Sequence, residues 1–191
     1  MLEAFAVSAG AVAVSEIGDK TQLLALLLAA RYRRPWPIVA GIFVATLANH
    51  AAAAALGAWL QGLFDATTLR WLLGASFLAV AAWMLVPDRA DADAANTRAT
   101  HGLGIFGITL VAFFLAEMGD KTQIATVMLA ARYGSLVAVT AGTTLGMMLA
   151  NVPAVLIGER ALRLVPMRWV HRIAAALFAL LGVLALAGIG L

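Results

Sequence analysis

Six long apolar stretches separated by short polar ones make up most of this chain: Phe5–Ala29, Trp36–Leu60, Trp71–Val86, Leu103–Ala131, Leu136–Ile157 and Trp169–Gly188. At 1.5 Å per helical residue, stretches of this order cross about 30 Å of hydrocarbon, the third being the shortest. The pattern predicts an all-α membrane protein with six transmembrane helices. Trp36, Trp71 and Trp169 open three of the stretches and read as interface anchors.

Composition agrees. Of 191 residues, 63% are hydrophobic and only 12% charged, with a mean hydropathy of +0.95, outside the range of an ordinary globular domain. The opening Met1-Leu2-Glu3-Ala4 lacks the basic region of a signal peptide, so the first stretch reads as a retained span. A pI of about 10.0 could suggest nucleic acid, but the basic residues sit in short loops at span ends and form no basic face, so no nucleic-acid partner is expected. They give orientation instead. Arg31, Arg33, Arg34, Arg89, Arg98, Arg160, Arg163, Arg168 and Arg172 fall on one side, and Arg70 and Arg132 on the other. The first side is therefore expected to be cytoplasmic and both termini external. With no cysteine in the chain there is no disulfide and no thiolate ligand.

The polar residues inside the apolar stretches are repeated. Glu16-Ile17-Gly18-Asp19-Lys20-Thr21-Gln22 returns as Glu117-Met118-Gly119-Asp120-Lys121-Thr122-Gln123, and Glu16–Tyr32 matches Glu117–Tyr133 at 11 of 17 positions with a constant offset of 101. Gly41 matches Gly142, and Leu47-Ala48-Asn49 resembles Leu149-Ala150-Asn151. The chain thus divides into a three-helix repeat over 1–86, a cytoplasmic linker over 87–102 and a second three-helix repeat over 103–191. Three spans per unit is odd, so the second unit enters from the opposite face, which is an inverted-topology repeat. The linker aspartates Asp88, Asp91 and Asp93 lack the glycine and terminal glutamate of an EF-hand and read as solvated.

An ionised side chain at bilayer depth costs about 2.5–3.5 kcal/mol on insertion scales, and such groups usually pair and line an ion or substrate path. On one continuous helix Glu16, Asp19 and Lys20 fall within a sector of about 100°, flanked by Gln22 and Ser15. Glu16 lies about 22 Å from Arg31 along such a helix, deep in the membrane, and Glu117 stands at the same distance from Arg132. Inverted insertion brings the two acidic faces together. Glu16, Asp19, Glu117 and Asp120 could then offer carboxylate oxygens to a hard divalent cation, Ca²⁺ or Mn²⁺, with Gln22, Gln123, Asn49 and Asn151 as possible additional ligands. Four acids against two lysines leave two negative charges, which one divalent cation would neutralise. Adjacent desolvated carboxylates resist joint ionisation, so protons can replace a departing metal.

Lys20 and Lys121 lie four residues after Glu16 and Glu117, spaced for an intrahelical ion pair and for charge compensation in the metal-free state. Gly18 and Gly119 serve either close helix packing, the favoured reading, or unwinding. Thr21 and Thr122 point away from the acidic sector and would bond back to a carbonyl. Asn49 could serve interhelical hydrogen bonding as well as ligation, and His50 reads as a packing residue. The bland alternative for both motifs is a structural ion-pair network.

The two motifs resemble the paired E-x-G-D-[KR]-[ST] signature of the Ca²⁺/Mn²⁺ cation exchanger family of Golgi, chloroplast and bacterial membranes. The resemblance spans both halves of the chain. It implies Mn²⁺ or Ca²⁺ as transported substrate with protons as coupling ion, no cofactor, and Glu16, Asp19, Glu117 and Asp120 as the cation-binding acids. For a compact bacterial member it implies manganese export from the cytoplasm. A small-solute exporter of similar architecture is the first competitor, and it would need recognition groups for an organic molecule. An intramembrane aspartyl protease is the second, and Glu16 stands where its GxGD motif requires glycine.

Overall fold

The computed structural model describes residues 1–86, 104–158 and 167–189. Among them the chain is all-helical, with eight helices: α1 (Leu2–Glu16), α2 (Lys20–Tyr32), α3 (Pro35–Leu63), α4 (Ala66–Met84), α5 (Ile105–Glu117), α6 (Lys121–Tyr133), α7 (Leu136–Ile157) and α8 (Met167–Leu186). α3, α4, α7 and most of α8 are long and apolar enough to cross a membrane. The Pro87–Gly102 linker lies outside the described residues.

The main departure from the expected pattern is that each motif-bearing stretch is two helices, not one. α1 stops at Glu16 and α2 starts at Lys20; α5 stops at Glu117 and α6 starts at Lys121. The break is a type II turn in both copies. Ile17 has φ −66° and ψ 114°, Gly18 has φ +85°, and the Asp19 amide closes the turn on the Glu16 carbonyl at 3.1 Å. Met118 repeats this at φ −63° and ψ 120°, with Gly119 at φ +75° and the Asp120 amide 3.1 Å from the Glu117 carbonyl. At Gly119 glycine is there for its backbone and not for close packing, because a Cβ there would meet no atom within 4 Å.

The other boundaries follow local chemistry. Pro35 occupies the first turn of α3, where its missing amide is not needed. α4 begins at Ala66, ahead of the apolar run from Trp71, because the exposed Asp65 caps it by accepting from the Thr67 and Thr68 amides at 3.0 Å. Hydrogen bonds from Thr68, with a weaker one from Thr67, hold the Asp65 carboxyl below the usual aspartate range.

Packing follows the sequence duplication. α1 lies against α7 and α5 against α3, and glycine sets both approaches. A Cβ on Gly142 would strike the Phe5 carbonyl and the Ser8 side chain, and one on Gly41 would strike the Phe106 carbonyl and the Thr109 side chain. Phe5 and Phe106, like Ser8 and Thr109, are 101 residues apart, so the two crossings use equivalent atoms. Small residues let backbones approach where lipid gives no hydrophobic drive for helix association. α4 and α8 meet across Gly74 and Gly182, with the Phe77 and Phe178 rings stacked at 6.3 Å. Large apolar side chains such as Leu149, Leu180 and Val183 remain more than half exposed, as a lipid-facing surface requires. Trp36, Trp71 and Trp169 are exposed at helix starts.

Candidate functional site: a buried carboxylate cluster between two helix breaks

The two turns place acids on either side of each break. Glu16 ends α1 and Asp19 is the N-cap of α2; Glu117 ends α5 and Asp120 is the N-cap of α6. All four carboxylates are buried. Glu16, Asp19 and Asp120 form one group, each offering an oxygen within 4.8 Å of the others. The fourth acid, Glu117, is not in that group. Its Oε2 stands 3.5 Å from His50 Nε2, without hydrogen-bond geometry, and accepts a long bond of 3.4 Å from the Thr122 hydroxyl.

Several oxygens are held in place while others are left available. Thr21 donates to Glu16 Oε2 at 2.6 Å, which leaves Glu16 Oε1 buried without a partner. Asp19 Oδ1 accepts from the Lys20 amide. Asp120 Oδ1 takes the Lys20 ammonium at 3.0 Å, and Asp120 Oδ2 has no hydrogen bond. Glu117 Oε1 and Asn151 Oδ1 are also buried and unpartnered. Buried carboxylate and amide oxygens left in this state are costly unless something else binds them. Their convergence suits a hard cation with oxygen ligands.

The amide side chains divide by role. Gln22 Oε1 accepts from the Gly18 amide at 2.7 Å, and Gln123 Oε1 accepts from the Gly119 amide at the same distance. Both glutamines thereby stabilise the turns. Gln22 Nε2 continues to the Ala150 carbonyl of α7 at 2.8 Å. Asn49 donates to the Phe114 carbonyl at 3.0 Å, joining α3 to α5. Asn151 donates within its own helix to the Met147 carbonyl at 3.1 Å.

Five expectations change, the first four because the helix breaks and the last because α3 packs against α5. The single acidic face of a continuous helix does not exist; the turn re-aims Asp19 relative to Glu16. Lys20 pairs across the repeats with Asp120 instead of with Glu16. Lys121 does not mirror it; its ammonium lies 3.3 Å from the Val86 carbonyl and over the Trp83 ring. Thr21 and Thr122, expected to point away, turn toward the glutamates. His50, read as a packing residue, reaches Glu117 and is fully buried.

A family model described as divalent cation/proton antiporter GDT1 matches residues 4–92 and 105–189. Over 183 residues the chain is 49% identical to a Vibrio cholerae protein named "Putative manganese exporter", covering 95% of this chain and 89% of that one. A GDT1-like protein of Synechocystis is 30% identical over 183 residues, covering 83% of this chain and 84% of its own. In rice, GDT1-like protein 3 is 28% identical over 201 residues, which is 93% of this chain and 71% of that one. No solved structure matches. With the family model covering nearly the whole chain and a buried acidic cluster at its centre, this chain belongs to the GDT1 family of divalent cation/proton antiporters and is a transporter, not an enzyme.

Proposed function

We propose that this chain exports Mn²⁺ from the cytoplasm in exchange for protons, with Ca²⁺ as a second cargo of the same oxygen chemistry. The observation that carries the reading is the meeting of Glu16 and Asp19 from one motif with Asp120 from the other in a buried group. The relative named as a manganese exporter supports the choice of metal. Three carboxylates and one ammonium leave two negative charges, the charge of one divalent ion. Asp120 can offer its unpartnered Oδ2 to the metal while Lys20 stays on Oδ1. When the metal leaves, Lys20 and protons compensate the acids in its place, so metal and proton compete for the same oxygens. Glu117 and Asn151 each keep a further buried unpartnered oxygen outside the three-acid group. Gln22, Gln123 and Asn49 act by holding the turns and the α3–α5 contact.

The proposed architecture is six spans in two inverted repeats, 1–86 and 103–191, joined by the cytoplasmic 87–102 linker. α1 with α2, and α5 with α6, each form one discontinuous span, and α3, α4, α7 and α8 are the continuous ones. The equivalent glycine crossings at Gly41 and Gly142 support the two-fold relation. The arginine distribution supports external termini in a bacterial inner membrane.

In proteoliposomes, Mn²⁺ flux should follow an imposed proton gradient and stop when a protonophore collapses it. Apparent Mn²⁺ affinity should fall as pH is lowered, because a protonated carboxylate loses its ligand character. Flux indifferent to the gradient, or transport of amino acids in preference to metal, would remove the exchange reading. For orientation, Asp65→Cys in this cysteine-free chain should react with an impermeant thiol reagent on intact cells; protection there with labelling only after lysis would reverse the topology.

A further inference from the structure

Three buried oxygens on α7 have no hydrogen-bond partner: Thr140 Oγ1, Thr144 Oγ1 and Asn151 Oδ1. A helical threonine ordinarily satisfies its hydroxyl on a carbonyl one turn back. Its neighbour Thr143 does this, donating to the Val139 carbonyl at 2.9 Å, and Thr109 and Thr126 do the same on α5 and α6 at 2.8 Å. Thr140 and Thr144 depart from that habit while remaining buried. Spaced four and then seven residues apart, the three groups share one face of α7 over about 16 Å. Gly142 and Gly146, which press on α1, lie on roughly the opposite side of the helix. The lower end of the column is at the carboxylate site, since the Ala150 carbonyl beside Asn151 accepts from Gln22. Its upper end is at the start of α7, next to the α6 terminus that carries Arg132.

The first repeat does not carry these two hydroxyls, although α3 has its own buried unpartnered Thr46 Oγ1 one turn before His50. At the offset that superposes Gly41 on Gly142, Val39 and Phe43 stand in place of Thr140 and Thr144, and Phe43 is 44% exposed. The hydroxyls are therefore not a by-product of the duplicated fold. We propose that Thr140 and Thr144 line the hydrated route by which the cation passes between the carboxylate cluster and the α6–α7 end of the molecule. Neutral hydroxyls can exchange with water around a divalent ion without holding it as carboxylates do, which suits a release path. By the topology proposed above, that end is external. The inference rests on the exchange reading for its cargo, but water access to the column can be measured without it.

Thr140→Cys and Thr144→Cys, made singly, should react with an impermeant cationic methanethiosulfonate from the Arg132 face, and saturating Mn²⁺ should slow the reaction. Val39→Cys and Phe43→Cys should not react, while Asp65→Cys reports that reagent and vesicles are sound. If neither threonine position is labelled in vesicles of either orientation while Asp65→Cys is, the route is wrong. Should the cysteine variants fail to insert, Thr144→Val decides: Mn²⁺ flux should fall about tenfold with equilibrium Mn²⁺ binding unchanged, and Thr144→Ser should restore it. Unchanged flux in Thr144→Val overturns the proposal. Labelling of the column in a protein that moves no metal would leave the route standing and remove the manganese reading instead.

Discussion

Asp120→Asn is expected to abolish Mn²⁺ transport in protein that still folds and inserts. Asp120 is the one acid of the second motif in the three-oxygen group, and it holds Lys20 at 3.0 Å. The amide keeps the size but removes a charged ligand oxygen and the partner of a partly buried ammonium, so both the metal-bound and the metal-free states lose a contact. Losing even an outer-shell partner of a metal site costs ~10–100-fold in affinity, and a ligand should cost at least that much. Glu16→Gln and Asp19→Asn should behave alike, each deleting one charge from the same cluster. Glu117→Gln should also impair transport while weakening equilibrium Mn²⁺ binding less, because Glu117 faces His50 and Thr122 outside the three-oxygen group. Substitutions at Asp91 or Asp93 should leave flux unchanged. Proteoliposome flux with calorimetric Mn²⁺ binding reads both quantities, and a folded Asp120→Asn with normal binding would dismiss the metal-site assignment.

What was legible in the sequence was the chemistry and the duplication; what was not was the backbone at the motif. Buried acids in apolar stretches announce themselves through their cost, and the offset of 101 ties one site to the other. The helix breaks were hidden because the apolar runs on either side, such as Ala11-Val12-Ala13-Val14 before and Leu23-Leu24-Ala25-Leu26 after, read as one membrane-length segment. The signal for a break was nonetheless present. Gly18 followed by Asp19 and, three residues on, Gln22 is a helix stop followed by a capping-box start, and the second motif repeats it as Gly119, Asp120 and Gln123. The departures at Lys20, Thr21 and Thr122 follow from that one omission, because a turn between the acids changes which side chains can meet. His50 had no comparable signal. It lies next to Asn49 on α3, and only the packing of α3 against α5 brings it to Glu117.

The breaks themselves make the second large prediction. Gly18 and Gly119 sit at the third position of a type II turn with φ of +85° and +75°, where a Cβ meets the following carbonyl and L-residues lose about 1–2 kcal/mol. Space is not the constraint at Gly119, since nothing lies within 4 Å of a Cβ placed there. Substitutions should therefore rank by tolerance of positive φ and not by size. Gly119→Asn, whose side chain tolerates the left-handed region, should retain the most transport. Gly119→Ala should lose about tenfold, and the β-branched Gly119→Val should be close to inactive. The mechanism is displacement of Asp120: if the turn relaxes toward continuous helix, the Asp120 carboxylate rotates away from Glu16 and Asp19, and the Gln123 contact to the residue-119 amide is lost. Mn²⁺ binding should fall in the same order as flux, with thermal stability in detergent dropping only modestly. If alanine and valine at 119 transported as well as asparagine, the turn would be dispensable and the acids would have to reach one another from an unbroken helix.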